Sequence, residues 1–335
     1  LSNKRPFFCA AVLLLLLAAV QSGCEQYSPA PVPKVYGKIT ADSSGCYIGA
    51  FVNGNSNISS YETLIGKKLA CVMWYVSFTQ DFPVSDSNAV IATGSVPCIT
   101  WEPWRYIVSD EAYSLQRIID GDFDAYITAW AAAAKAFKYP MFLRFAHEMN
   151  GNWYPWDGYH NGASSAAPAK FISAWRHVHD IFSSADATNV TWVWNVNAAS
   201  TPGDDWNKAD NYYPGDSYVD WIAIDGYNWG TSGSGTAWQD FDSVFSSIYS
   251  TLIASHPGKP VMIGEMASTE DGGDKAAWIT DAFSKMRTSY TGIKCYNWFN
   301  INKETDWRVN SSGSSAASFS SAMTPSYYIS DIPLN

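Results

Sequence analysis

Positive charge is scarce in this 335-residue chain and is never gathered. Lys and Arg number 21 against 31 Asp and Glu, the net charge is −10, and beyond the N-terminal Lys4-Arg5 the densest basic spot is Lys67-Lys68. A nucleic-acid or polyanion partner needs a basic face, so this balance argues against one and suits a neutral substrate. No Gly-rich phosphate loop follows the first strand candidate, which weakens any dinucleotide-binding reading. The six cysteines are spaced too widely for a zinc pattern. His147-Glu148 opens like the zinc-protease HExxH motif, but position 151 is Gly, so the second ligand is missing. No catalytic metal and no cofactor is implied. The most apolar run, Phe7–Val20, falls short of the roughly 20 residues that span a bilayer.

That run reads instead as the core of an export signal covering residues 1–23, with Lys4 and Arg5 ahead of it and Leu13–Leu17 inside it. Its end, Gln21-Ser22-Gly23-Cys24, resembles a bacterial lipoprotein signal. Two routes stay open: simple secretion, or lipid attachment at Cys24 with anchoring at the cell envelope. Residues 24–41 carry Pro29, Pro31 and Pro33 and read as a flexible tether. Residues 42–335 read as one domain, expected to be monomeric. Of the four remaining cysteines, Cys71 and Cys98 sit in apolar runs and read as buried free thiols. A disulfide among Cys46, Cys71, Cys98 and Cys295 is permitted by export.

What the chain has in plenty is aromatic surface: 16 Trp, 20 Tyr and 16 Phe. Many tryptophans lie beside Gly, Pro, Asn or Asp, where loops form. Loop tryptophans suit stacking on the apolar faces of sugar rings, though about half have only a core to fill. Eight strand-like runs alternate with helical stretches: 47–52, 69–78, 96–101, 141–147, 190–196, 221–227, 261–266 and 293–299. Helices are expected over 123–138, 167–184, 238–255 and 275–289, and the Ser-rich patch 311–321 reads as a loop leading into a last helix. This alternation predicts an α/β fold, a single (β/α)8 TIM barrel, with a doubly wound open sheet as runner-up.

In a barrel, chemistry sits at the C-terminal tips of the strands. Here the tips carry Trp101-Glu102, His147-Glu148, Asn195 and Asn197, Asp225-Tyr227-Asn228, Glu265, and Trp298 with Asn300. Glu148 and Glu265 each end an apolar run directly, so both should be partly desolvated. Such a pair fits glycoside hydrolysis, where one carboxyl protonates the leaving oxygen and the other attacks the sugar or activates water. Against this, Glu148 could be a structural acid paired with Arg144, and Glu265 could cap the next helix. Glu102 is a third candidate, read as a substrate-contacting or network residue.

The block HEMNGNWYPW around Glu148, with GEMAS around Glu265, resembles glycoside hydrolase family 26. TWEPW (100–104), WNVN (194–197), IDGYNWG (224–230) and NKETDWR (302–308) extend the likeness from about Tyr47 to Ser312. The resemblance implies a (β/α)8 barrel and a retaining double displacement with Glu148 as acid/base and Glu265 as nucleophile. It implies that His147 contacts the −1 sugar or orients Glu148, that Tyr227 hydrogen-bonds Glu265, and that Trp298 floors the −1 subsite beside a wall at Trp153. Trp101, Glu102, Asn197 and Trp229 complete the expected substrate contacts. TWEPW, IDGYNWG and NKETDWR look closer to the family's β-1,3-1,4-glucanases, so the expected partner is a mixed-linkage β-glucan, with β-mannan as the alternative. A non-catalytic glycan-binding barrel and an exo-acting or transglycosylating enzyme are the competing functions.

Overall fold

Runs rich in aromatic and β-branched residues, apolar on both faces, become strands of a sheet covered on both sides. The strands are β1 (Cys46–Phe51), β2 (Cys71–Ser77), β3 (Val96–Glu102), β4 (Met141–Phe145), β5 (Val190–Asn197), β6 (Trp221–Asn228), β7 (Val261–Ser268) and β8 (Ile293–Phe299). All pair in parallel with their neighbours in sequence, and β1 pairs with both β8 and β2, which closes the barrel. A two-residue strand, β9 (Tyr328–Ile329), joins β1 below that seam. The computed structural model describes Leu1, residues 36–109 and residues 111–334. The export signal (apart from Leu1), Cys24 and the tether as far as residue 35 lie outside the described residues. Among the described residues, no helix is long and apolar enough to cross a membrane.

The helices are α1 (Ile58–Ile65), α2 (Val84–Ala92), α3 (Leu115–Ile119), α4 (Asp124–Phe137), α5 (Ala167–Ser184), α6 (Phe241–Ser255), α7 (Lys275–Thr288) and α8 (Gly313–Ala322). In α5, Phe171, Trp175, Val178 and Phe182 recur at helical spacing and are all buried on the barrel side. Caps fix several starts. Asp240 accepts from the Ser243 N–H, so α6 begins at Phe241 rather than at Trp238. Ser312 accepts from the Ser315 N–H in the same way, and the Ser-rich patch is itself α8 rather than a loop leading to it. Between β5 and β6, residues 198–220 form only two short 3-10 turns, Asp205–Asn207 and Ala209–Tyr212.

The folded body also starts earlier than Asp42. Tyr36 stacks on Tyr139 with centroids 5.4 Å apart. The Ile39 N–H donates to Thr191 Oγ1 at 2.7 Å, and Trp221 Nε1 donates to the Ile39 carbonyl at 3.0 Å. Residues 36–41 are therefore seated on β5 and β6 and are not a free tether. Cys46, Cys71, Cys98 and Cys295 are all buried free thiols, with the Cys71 and Cys295 sulfurs 3.7 Å apart.

Candidate active site

Alternation along each strand decides which tip residues enter the barrel mouth. On β3, Thr100 and Glu102 face inward, while Trp101 faces out against Trp130 and Phe182. On β8, Asn297 and Phe299 face inward, while Trp298 packs outward against Trp278 and Phe319. The expected roles of Trp101 and Trp298 therefore fail on parity. Both are 0% exposed, and Trp298 Nε1 is committed to the Trp307 carbonyl at 2.9 Å. Phe299 takes the place at the cleft assigned to Trp298.

Glu265 reaches the mouth through an irregularity. Met262 faces inward, its sulfur near Asn297 Nδ2, so strict alternation would turn Gly264 inward and Glu265 outward. The β6–β7 register instead skips a residue: Ile224 pairs with Ile263, and Asp225 with Glu265. This bulge at Gly264 shifts the phase by one and brings Glu265 in beside Asp225. Only Gly fits there, because a Cβ would lie 2.1 Å from Asn195 Oδ1 and 2.4 Å from Asp225 Oδ1.

Arg144 is the hub beneath the cleft and is fully buried. Its Nε donates to Asn195 Oδ1 and its Nη1 to Thr100 Oγ1, both at 2.7 Å. Its Nη2 donates to Asp225 Oδ2 at 2.7 Å and to Glu265 Oε1 at 2.9 Å. Burial opposes the guanidinium charge, and the two carboxylates outweigh it. Arg144 thus pairs with Glu265 rather than with Glu148. Tyr227 Oη donates to the other oxygen of Glu265, Oε2, at 2.6 Å. Both oxygens of Glu265 are acceptors here, one of them from a cation.

Glu148 stands in a different environment. Its backbone is left-handed, φ 53°, as is that of Ala146, φ 47°; such positions cost about 1–3 kcal/mol each in a non-glycine residue. The Glu148 N–H is held by the Asn195 carbonyl at 2.9 Å. Trp153 Nε1 donates to its Oε2 at 2.7 Å and Asn197 Nδ2 to its Oε1 at 2.9 Å. Burial, then the charge of Glu265, pushes its pKa up to about 7. Burial likewise pushes Glu102 up to about 8, against a donation from Trp104 Nε1 at 3.2 Å.

Glu102, Glu148, Trp153, Asn197, Tyr227, Trp229 and Glu265 line one cleft of about 870 Å3. His147 lies behind it, 1% exposed, among the rings of Tyr75, Tyr154 and Trp156. Burial, then the charge of Arg144, holds its imidazole neutral. The cleft also takes Tyr75, Trp104, Tyr106, Tyr154, Phe299, Lys303, Glu304 and Trp307. Of these, Tyr75 and Phe299 were not singled out from sequence, though counting alternate residues inward along β2 and β8 finds both. Among the described residues, His147, Asp225 and Glu265 form the one group with ligand atoms close enough to hold a cation. Arg144 already donates to both of its carboxylates, so the positive charge such a site would need is built into the chain.

Both the sequence and the fold have counterparts among known proteins. Over 293 residues the chain is 44% identical to Endoglucanase H of Acetivibrio thermocellus, an alignment covering 84% of this chain and 31% of that protein. It is 35% identical over 91 residues to the mannan endo-1,4-beta-mannosidase A and B of Caldalkalibacillus mannanilyticus, covering 26% of this chain and 16% of that one. The chain thus spans about a third or less of these relatives' lengths. Solved structures share the fold. A Bacteroides ovatus GH26 beta-mannanase aligns with TM-score 0.64 at 15% identity, over 85% of this chain and 90% of that one. A Cellulomonas fimi endo-beta-1,4-mannanase aligns with TM-score 0.65 at 16% identity, over 88% and 77%. The sequence profile of glycosyl hydrolase family 26 matches residues 76–279, the stretch that supplies Glu102, Glu148, Tyr227 and Glu265 to the cleft. With that match over more than half its length, the chain belongs to glycosyl hydrolase family 26.

Proposed function

We propose that this chain is an exported, retaining endo-β-glycanase that cuts internal β-1,4 bonds of mixed-linkage β-1,3-1,4-glucan. The observation that carries the reading is the unlike pair in one cleft. Glu148 has only the neutral donors Trp153 and Asn197 and holds its proton to about pH 7, while Glu265 is paired with the Arg144 cation and accepts from Tyr227. In the first step Glu265 attacks the anomeric carbon, and the Glu148 proton passes to the departing glycosidic oxygen. In the second, Glu148, now a carboxylate, takes a proton from water, whose oxygen attacks the same carbon and releases Glu265. Trp153 and Asn197 hold Glu148 through both steps, and Tyr227 steadies the Glu265 oxygen that Arg144 does not. The rings of Tyr75, Trp229, Phe299 and Trp307 supply apolar walls for successive sugars.

The glucan preference is supported by the 44% identical relative, whose name is an endoglucanase. A second reading, an endo-β-1,4-mannanase, is supported by the shorter match to mannan endo-1,4-beta-mannosidases. Export, with or without lipid at Cys24, is our reading of residues 1–24.

Product analysis on barley β-glucan, lichenan, galactomannan and glucomannan separates these readings. Short mixed-linkage oligosaccharides from the first two, with mannan intact, are expected. Cleavage of mannan alone would overturn the substrate and keep the chemistry. Glu265→Ala is expected to abolish turnover with an unchanged circular dichroism spectrum, and retained activity would remove Glu265 from its role.

A further inference from the structure

The barrel carries a second concavity that the reaction does not use. One wall is the start of α5, with Pro168 and Ile172; the other is the β5–β6 connection, with Asp204, Asp205, Trp206 and Asn211. It encloses about 980 Å3, as much as the catalytic cleft. Residues 198–220 pack on α5 further along, through Tyr212 against Phe171 and the Pro214 carbonyl accepting from Arg176 Nε at 2.8 Å, and the groove lies beside those contacts. Both walls follow strand tips, of β4 and β5, so the groove belongs to the same end of the barrel as Glu148 and Asn197.

Trp206 is the centre of this groove, half-buried and fixed. Its Nε1 donates to Asp204 Oδ2 at 3.2 Å. Its ring edge rests where Gly158 has no side chain; a Cβ there would lie 2.8 Å from Trp206 Cζ3. The backbone beneath is tied down as well. Asn211 Nδ2 donates to the Asp205 and Trp206 carbonyls at 2.9 and 3.0 Å, and Asn207 Nδ2 to the Asn150 carbonyl at 2.9 Å. A rigid indole beside the Asp204 carboxylate, with Asp205 ion-paired to Lys208 at 2.6 Å, matches a pyranose, whose C–H face stacks while its hydroxyls donate to the acids. With one cation against two carboxylates this rim keeps a net negative charge, which disfavours uronic acids and sulfated chains.

We propose that the Trp206 groove is a second glycan-binding site, taking a neutral β-linked polysaccharide chain outside the catalytic cleft. It deepens the reading above by giving that substrate a second hold on the same face. Asn150 joins the two places: its carbonyl receives Asn207, and its side chain binds the backbone of Asn197, the partner of Glu148.

The test uses the full chain with Glu265→Ala, so that polymer is held and not cut. Affinity electrophoresis through gels cast with barley β-glucan, glucomannan, galactomannan and, as an anionic control, polygalacturonate measures binding. Trp206→Ala in that background is expected to weaken retardation on at least one neutral polymer by about tenfold in apparent Kd, with none on polygalacturonate. Trp206→Ala alone is expected to leave turnover of a short oligosaccharide within about twofold and to lower kcat/KM on polymer, which excludes misfolding. Asp204→Ala is expected to give a smaller loss of the same sign. Equal retardation of the single and double variants on every neutral polymer would overturn the proposal, as would retention on polygalacturonate. Should the wild type cut none of the polymers, the catalytic reading fails, while Trp206-dependent retardation still decides the groove.

Discussion

At the residue scale, the proposed mechanism gives two carboxyls opposite tasks through their neighbours. Glu148 is buried and faces the charge of Glu265, so its proton is held to about pH 7. The protonated acid is the active form in free enzyme, and the basic limb of kcat/KM is expected near pH 7. Glu265→Gln removes the like charge, so the Glu148 pKa is expected to fall, read by 13C NMR of labelled glutamate. An unmoved value would break the proposed coupling between the two. Arg144 gives a separate prediction. Arg144→Met leaves Asp225 and Glu265 buried without their cation, a change expected to cost about 3–5 kcal/mol in urea unfolding. A loss below about 1 kcal/mol would show that the two acids find other partners. Sequence disclosed Glu148 and Glu265 because each ends an apolar run, where a bare acid has no structural reason to be. It did not disclose Arg144 as the hub beneath Glu265, because its partners Thr100, Asn195, Asp225 and Glu265 lie on four other strands.

At the element scale, parity is what the sequence hid. Trp101 and Glu102 are adjacent, and so are Trp298 and Phe299, yet one of each pair faces the helices and the other the cleft. Composition does not say which, because both faces of a parallel strand are apolar. The bulge at Gly264 is invisible for the same reason: a strand with one extra residue reads like any other. Its role is testable. Gly264→Ala forces a methyl against Asn195 and Asp225, expected to cost about 1–3 kcal/mol of stability by overpacking. It should also cut kcat by more than it changes KM, since Glu265 moves with the bulge; unaltered kcat would mean the strand absorbs the methyl elsewhere. Strands and long helices were legible to within a few residues. The short helices α1, α2 and α3 were not, and α8 was masked by serines of which Ser312 is its cap. Ser312→Ala is expected to lower stability by about 1 kcal/mol, measured by thermal unfolding.

At the scale of the whole molecule, the cleft sets a pH dependence of folding. Glu102 and Glu148 ordinarily titrate near 4.5, and in the folded chain they titrate at about 8 and about 7. Asp225 moves in the same direction, through burial. Between those limits the folded chain binds more protons than the unfolded one, so these groups reduce stability as pH rises from about 4.5 to 8. His147, held neutral in the fold, acts the other way below about pH 6.5, so the melting temperature is expected to fall between about pH 6.5 and 8, and Glu102→Gln to flatten that fall. A melting curve for Glu102→Gln parallel to that of the wild type would place the effect elsewhere. The barrel order itself was readable from the alternation of runs, and the family from motifs spread along it. The groove beside Trp206 was not, because its walls come from two segments distant in sequence, the start of α5 and residues 204–211.

The four sulfurs inside the barrel wall give the protein a built-in stopwatch. Cys46, Cys71, Cys98 and Cys295 are sealed from solvent; burial holds the Cys46, Cys98 and Cys295 thiols above their usual range, and the contact to Cys295, then burial, does so for Cys71. A thiol reagent cannot reach them until neighbouring strands part. The rate at which these four sulfurs are labelled reads how often the barrel opens, strand by strand, without any added probe.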